Sequence, residues 1–388
     1  MVDNEQTVKT IFFLAFFLIY GGVHLYLFLG AKTSFALGVR ACAVVALFMI
    51  IMVISPVIVH ISERNGFESL AIFFSWTGYL WMGFAFMLFC LCIVFDCYRL
   101  LAHLGAHIFS FDPSSVIPSA RHCFVALLSI SLAMALYGYV EALNIRSEKV
   151  TIRTSKIPKE IKRLRIVQIS DLHIGLIVRG KRLKRILKKI GDANPDLLVS
   201  TGDLIDGEAD NMSGAVDLLR KIKPAYGKYA VTGNHEFYAG LAQAINFTEG
   251  AGFRVLRGEG TNVGGLINIA GVDDSTARVY GAIEGVPEEK LLTGFSGDQF
   301  TLLLKHQPVV HKTSPGFFDL QLSGHTHKGQ IFPFTLITRL VFRFNSGYYH
   351  LKEGSAIYVS RGAGTWGPPM RFMAPPEITI IDLVHDGS

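Results

Sequence analysis

Four long apolar stretches before residue 145 constrain the fold of this chain more than any other feature of its sequence. Three of them contain no charged residue, and the first contains only His24 as a group that can be charged near neutral pH. A helix that crosses a bilayer needs about 20 consecutive apolar residues, whereas a helix in a water-soluble bundle keeps a polar face that these stretches lack. We therefore predict four membrane-spanning helices, at 10–30, 41–59, 69–95 and 123–140.

The first apolar stretch is not typical of a cleaved signal peptide. The segment before it, MVDNEQTVKT, is weakly charged and acidic, and three more apolar stretches follow. The cysteines give no sign of a disulfide framework, because all five lie in or beside the apolar stretches, at Cys42, Cys90, Cys92, Cys97 and Cys123. The redox compartment of the remaining chain therefore stays open.

The short loops between the predicted spans indicate an orientation. Four spans place both termini on one side of the membrane. The loops on the other side carry more Lys and Arg than the amino terminus and the middle loop: Lys32, Arg40, Arg99 and Arg121 against Lys9 and Arg64. Because short cytoplasmic loops are enriched in these residues, we predict that the carboxyl-terminal part lies outside the cytoplasm. The segment from Arg146 to Lys189, with 15 Lys or Arg against three acids, favours the opposite orientation, so a cytoplasmic location stays open as the alternative.

From about Val150 the sequence changes to short β-rich runs separated by Gly, Asp and Asn, with helical patterns between them. This alternation is typical of an α/β domain, and we predict a transmembrane region at 1–145 and a second domain at 146–388. Five runs read as strands: LRIVQIS, DLLVS, KYAVT, FTLLLK and LQLS. Between the first two, RGKRLKRILKKI has the spacing of an amphipathic helix. Its basic residues form either a solvated face or a surface for anionic lipid headgroups, and we expect no nucleic acid partner because no binding motif accompanies them.

Each of the five predicted strands is followed by potential metal ligands. They occur in SDLH, TGDLID, TGNHE, KHQP and SGHTH, and comprise Asp171, His173, Asp203, Asn234, His235, His306, His325 and His327. Side chains at consecutive strand ends can converge on one crevice, and mixed Asp, His and Asn donors suit Mn, Fe, Zn or Co. Singly, Asp171 and Asp203 could be helix caps and His306 a packed core histidine. The ordered set favours a metal site, and it has enough donors for two ions that share a bridging carboxylate.

The order D-x-H, G-D, G-N-H-E, H, G-H-x-H resembles the calcineurin-like metallophosphoesterase superfamily over about residues 165–383. GHTHKGQIFPF and SRGAGTWGPPMR are most similar to its bacterial exported or membrane-anchored branch, which includes phosphodiesterases and relatives of UDP-diacylglucosamine hydrolases. The resemblance implies two stacked mixed β-sheets flanked by helices. It also implies a hydrolase of a bacterial inner membrane, with two divalent ions that activate water and neutralise phosphate oxygens.

The resemblance also implies a role for each motif residue. One ion would be bound by Asp171, His173 and His327, and the other by Asn234, His306 and His325, with Asp203 as the bridge. His235 would face the phosphate without binding an ion, stabilising charge or protonating the leaving oxygen. Every motif position holds the expected residue type, so an active enzyme is expected.

These motifs do not determine the substrate, the bond cleaved or the oligomeric state. IFPFTLITRLVFRF is either a core strand, which we favour slightly, or a lip that touches lipid. In the loop RGAGTWGPPMR, Arg361 and Arg371 are candidates to pair with a substrate phosphate. We expect a phosphorylated substrate. A lipid-linked phosphate is favoured only slightly over a soluble phosphodiester. Two other functions stay open: a receptor or transporter-like bundle regulated by the phosphoesterase-like domain, and a metal-binding module without activity.

Overall fold

A computed structural model of the chain describes residues 2–207 and 213–387. The chain divides into two compact units, one formed by Met1–Val140 with Gly367–Met370 and the other by Glu141–Trp366 with Arg371–Ser388.

The amino-terminal unit contains the four predicted apolar helices, which are confirmed: α1 Val2–Phe35, α2 Val39–Arg64, α3 Glu68–Phe109 and α4 Ala120–Ala142. Each is long and apolar enough to cross a membrane. The helices extend past the apolar windows, most of all α3, which continues beyond residue 95 through Asp96 and Arg99. Within this continuation, Asp96 accepts a 2.6 Å hydrogen bond from the Tyr26 hydroxyl and lies 3.5 Å from Arg99, so both charged groups have polar partners.

His24 is buried among these helices, with both ring nitrogens paired. Nδ1 lies 2.8 Å from the Tyr20 carbonyl oxygen, and Nε2 accepts a hydrogen bond from Trp81 Nε1 at 2.8 Å. A buried polar ring with both nitrogens satisfied needs no further ligand. His24 therefore has the contacts of a structural residue, and they give no support to an ion path through the bundle.

The second unit is built on two six-stranded sheets. The strands are β1 Arg146–Thr154, β2 Leu164–Ile169, β3 Leu197–Ser200, β4 Lys228–Ala230, β5 Arg254–Val255, β6 Glu259–Val263, β7 Ile267–Gly271, β8 Phe300–Leu304, β9 Leu320–Ser323, β10 Gly347–His350, β11 Ala356–Val359 and β12 Glu377–His385. Their order is β1-β12-β2-β3-β4-β5 in the first sheet and β10-β11-β9-β8-β7-β6 in the second. Both are mixed: β2, β3 and β4 run parallel, as do β7, β8, β9 and β11, while β12–β2, β6–β7 and β10–β11 are antiparallel.

The two sheets pack face to face through one apolar core. Ile166 and Val199 of the first sheet share this core with Ile269, Leu302 and Leu322 of the second. The flanking helices are α5 Gly180–Ala193, α6 Ser213–Arg220, α7 Asn234–Ala239, α8 Leu241–Gly250, α9 Thr276–Val279, α10 Glu288–Leu292 and α11 Phe334–Val341. The predicted fold class, an apolar helical region followed by two stacked mixed sheets with flanking helices, is confirmed.

The segment IFPFTLITRLVFRF forms a helix, so the interpretation as a core strand is wrong. Helix α11 occupies its centre, and the chain reaches it directly from the GHTH motif. Its apolar side chains at 336, 337, 340 and 341 have the spacing of one helical face.

Candidate metal centre

The predicted ligands lie in the loops after β2, β3, β4, β8 and β9. The first three strands are parallel neighbours in one sheet and the last two in the other, so their carboxyl ends bring the loops to one region. Five of the ligand residues have a left-handed backbone, with φ between 48° and 70°: Asp171, His173, Asp203, His325 and His327. Non-glycine residues adopt this conformation mostly where the surrounding structure enforces it, often at functional sites.

Two glycines allow these loops to approach each other. Gly202 has a φ of 93°, and a Cβ there would lie 2.6 Å from the Gly233 nitrogen and 2.8 Å from His306 Nδ1. A Cβ at Gly324 would collide with the side chains of Ser170 and Asp171. Any larger residue at either position would therefore push two ligand-bearing loops apart.

Asp171, His173 and His327 form one cluster of potential ligands. His327 Nε2 lies 3.0 Å from His173 Nε2 and 3.3 Å from Asp171 Oδ1. All three side chains are buried. Burial alone would raise the pKa of Asp171, but the neighbouring His327 and His306 hold it below its usual range. The cluster therefore presents a buried carboxylate to two imidazoles.

Asp203, His306 and His325 form a second cluster. His306 Nε2 lies 3.2 Å from Asp203 Oδ2, 3.2 Å from Asn234 Oδ1 and 3.1 Å from His325 Nδ1. The Nδ1 of His306 lies 2.8 Å from the Thr201 carbonyl oxygen, which fixes the ring with Nε2 toward the cluster. Asp203 Oδ2 is also 3.8 Å from His173 Nε2, so Asp203 lies between the two clusters.

The donor atoms fit divalent metal ions. Within each cluster they lie within 4.8 Å of one another, and ligands that bind one ion at about 2.1 Å are themselves separated by roughly 3 Å. Carboxylate, imidazole and amide oxygen donors match Mn, Fe, Zn and Co. The seven residues predicted as ligands are therefore together in the structure, in an arrangement that could hold metal.

Comparison with known proteins identifies the family. The family model for calcineurin-like phosphoesterase matches residues 164–329. An uncharacterized metallophosphoesterase from Aquifex aeolicus is 38% identical over 261 residues, which cover 67% of this chain and 99% of that protein. This chain belongs to the calcineurin-like metallophosphoesterase family.

Two further relatives extend the comparison. A transmembrane protein with metallophosphoesterase domain from Danio rerio is 34% identical over 306 residues, covering 75% of this chain and 69% of that protein. The metallophosphoesterase YkuE of Bacillus subtilis is 36% identical over 265 residues, covering 64% and 89%. The predicted family and enzyme class, a hydrolase of phosphoester bonds, are confirmed.

In this metallophosphoesterase, His235 forms a dyad with Asp206, a residue that the motif analysis missed. Its Nδ1 lies 2.7 Å from Asp206 Oδ1, and its backbone N–H donates to Asp203 Oδ1 at 2.9 Å. Burial alone would lower the pKa of His235, but Asp203 and Asp206 raise it to about 9. Asp206 also lies 3.3 Å from His173 Nδ1. The available signal was the second carboxylate of TGDLID, which follows Asp203 by three residues.

Glu236 connects two of the ligand loops and was also missed. Its buried carboxylate accepts hydrogen bonds from the backbone of Asp203 at 2.9 Å, Leu204 at 2.7 Å and Gly233 at 2.6 Å. Backbone N–H groups left unpaired in a buried loop cost about 1–3 kcal/mol each. Glu236 therefore holds the Asp203 loop against the start of α7, where Asn234 and His235 lie.

The two arginines predicted to bind substrate have partners within the protein. Arg371 is fully buried, and its guanidinium donates to the carbonyl oxygens of residues 327, 361, 362 and 364 and contacts His327 Nδ1 at 3.0 Å. Arg361 pairs with Glu148 at 2.6 Å and Glu377 at 2.5 Å. These contacts favour positioning roles: Arg371 supports His327 from behind, and the contact of either arginine with substrate stays a prediction.

Proposed function

We propose that this chain is a membrane-anchored phosphohydrolase with a dinuclear metal centre, which cleaves a phosphodiester, phosphomonoester or pyrophosphate bond. The observation that carries the proposal is the place of Asp203, whose Oδ2 lies 3.2 Å from His306 Nε2 of one cluster and 3.8 Å from His173 Nε2 of the other. A carboxylate shared in this way is what a two-metal phosphoesterase requires.

The assignment of ligands follows the two clusters. One ion would be held by Asp171, His173 and His327, the other by Asn234, His306 and His325, with Asp203 between them. The identity of the ions, Mn, Fe, Zn or Co, is not fixed by these donor types. When bound, the ions activate water for attack and neutralise phosphate oxygens.

His235 supplies the proton in this proposal. Its Nδ1 faces Asp206 at 2.7 Å, so the carboxylate fixes the ring and leaves Nε2 to hold a proton for the leaving oxygen. The Asp206 carboxylate favours the protonated form of this ring, which is the form that a general acid requires. Asp206 acts through His235 and is a positioning residue.

The proposal includes a location and a substrate class. The α/β domain lies on the extracytoplasmic side of a bacterial inner membrane, as the Lys and Arg of the short loops favour, and its preferred substrate is a phosphorylated lipid or lipid-linked headgroup. Helix α4 ends at Ala142 and β1 begins at Arg146, so the connection to the last apolar helix is short. A short tether raises the effective concentration of membrane-borne substrate.

The test uses the full chain purified in detergent, with its metal content measured and its hydrolysis of an activated aryl phosphodiester followed. We expect close to two transition-metal ions per chain and hydrolysis that Asp203→Ala abolishes. The matched control is Asp192→Ala, which removes an exposed carboxylate of α5 and should leave both quantities unchanged. If the metal-loaded parent hydrolyses no faster than Asp203→Ala, the proposed activity is wrong.

A further inference from the structure

Helix α11 has its two threonines turned toward the protein and its apolar side chains turned outward. Thr335 and Thr338 are 6% and 8% exposed. The outward face, which we call the α11 apolar face, consists of side chains that are 50% to 88% exposed: Leu336, Ile337, Leu340 and Val341. A surface helix in water has the reverse arrangement, with its apolar stripe against the core. The α11 apolar face therefore fits an apolar environment.

Hydrogen bonds fix this orientation of the helix. Thr335 Oγ1 donates to the Lys328 carbonyl oxygen at 2.8 Å, and Asn345 Nδ2 donates to Thr338 Oγ1 at 2.8 Å. The Asn345 carbonyl oxygen in turn accepts from Thr326 Oγ1 at 2.6 Å. Turning the apolar face inward would break these bonds and leave buried polar groups unpaired. The outward position of the apolar residues is thus built into the fold.

The charges beside this face match anionic lipid. The segment 328–351 contains Lys328, Arg339 and Arg343 and has no Asp or Glu. Arg339 lies within α11 and Arg343 two residues after its end, and both are exposed. Interfacial helices combine an apolar face with Lys and Arg that reach the headgroup phosphates.

The apolar helices of the same chain are the reason to expect a bilayer close to α11. Four of its helices are apolar and long enough to cross a membrane, and the four residue steps from Ala142 to Arg146 reach at most about 14 Å. We propose that α11 lies in the membrane interface, with the α11 apolar face at the acyl-chain boundary and Arg339 and Arg343 among the headgroup phosphates. This surface requires only a bilayer, so it goes beyond the proposed hydrolysis and does not depend on it.

The proposed interfacial helix adjoins the candidate metal centre. Phe342, the residue that follows α11, has its ring 5.3 Å from the ring of His325. Trp366 is 53% exposed, lies 6.0 Å from His235 between ring centres and exchanges two hydrogen bonds with Gln330. Tryptophan is enriched at membrane interfaces. If α11 lies in the membrane interface, the neighbouring ligand loops lie at the level of the lipid headgroups.

The test is quenching of an introduced tryptophan by brominated lipid. Full-length Leu340→Trp is reconstituted in phosphatidylcholine–phosphatidylglycerol vesicles, with bromine either near the headgroup end of the acyl chain or near the bilayer centre. The signal of the three native tryptophans is subtracted with the parent protein. The control is Ile283→Trp, which replaces another exposed apolar residue, 64% exposed, outside this segment.

We expect the fluorescence added by Leu340→Trp to be blue-shifted and to be lost mainly to bromine near the headgroup end, because interfacial helices insert about 5–10 Å. Leu336→Trp, one turn earlier, should behave alike, while Ile283→Trp should be unquenched. Quenching of the α11 variants no greater than that of Ile283→Trp would overturn the proposal. A blue shift without lipid quenching would also overturn it, since it would show that another protein surface covers this face.

Discussion

His235 is the side chain whose removal best separates metal binding from turnover. Its backbone N–H donates to Asp203 Oδ1 and its ring pairs with Asp206, and general acids contribute about 10²–10⁴-fold to rate. We expect His235→Ala to lower kcat by at least about 100-fold with its metal content unchanged. Elemental analysis of the purified variant decides the matter, because the loss of one ion would make His235 a ligand.

Asp206 should set the alkaline limit of activity. Its carboxylate favours the protonated ring of His235 and so helps to raise the pKa of that ring to about 9. Activity that needs the protonated ring falls as pH rises through this pKa. In Asp206→Asn the pKa is lower, so the alkaline limb of the kcat profile should move to lower pH. A profile that only scales down, without moving, would contradict this role.

Sequence predicts the residues whose type and position after a strand suggest metal binding, and it misses those that act through contacts between distant loops. The seven candidate ligands are visible because their residue types recur at strand ends, and the structure brings them together, although their roles as ligands stay predictions. Asp206 and Glu236 act through bonds across loops, to His235 and to backbone N–H groups. The motifs contain both carboxylates, but they do not show which groups these carboxylates bond to. Arg371 reads as a substrate contact by its charge, yet it is fully buried behind His327.

The loops after β3 and β4 depend on one shared carboxylate. Glu236→Gln keeps the shape of that side chain but replaces one acceptor oxygen with a donor, so at least one of the buried N–H groups of Asp203, Leu204 and Gly233 loses its partner. We expect a loss of about 2 kcal/mol in unfolding free energy, together with weaker metal binding. Thermal unfolding and metal titration measure both. Glu259→Gln, at an exposed ion pair, is the matched control and should behave like the parent.

Strands that are buried along most of their length can be predicted from their apolar runs. Elements with exposed residues are harder to predict. Strands β3, β8 and β9 are buried along their length and β2 is buried at every position but Arg165, and their apolar runs predict them. Strand β1 is exposed or half-buried throughout and starts at Arg146, before the change to β-rich sequence at about Val150, and it is not among the five predicted strands. Helix α11 reads as a strand by composition, because β-branched residues favour sheets, and sequence alone does not tell whether its apolar face points in or out.

At the scale of the whole chain, four helices that are long and apolar enough to cross a membrane precede a phosphoesterase domain. This order favours the proposed substrate at a membrane surface. The connection between α4 and β1 is only a few residues long, and the segment from Arg146 to Lys189 carries 15 Lys or Arg against three acids. Basic residues near a membrane attract anionic headgroups by about 1 kcal/mol each. We expect these two features to raise the local concentration of lipid phosphates available to the enzyme without adding any contact in the pocket.

We therefore expect full-length protein in liposomes to turn over a lipid phosphate faster than a soluble diester offered in the same amount. The matched measurement places the same protein and substrates in detergent micelles, where substrate is diluted among micelles and the preference should shrink. Added salt should also reduce it, because screening weakens the attraction of the basic segment to headgroups. Equal or faster turnover of the soluble diester in liposomes would mean that the helices only anchor a hydrolase of soluble phosphodiesters, since a tether fixes position but does not shape the pocket.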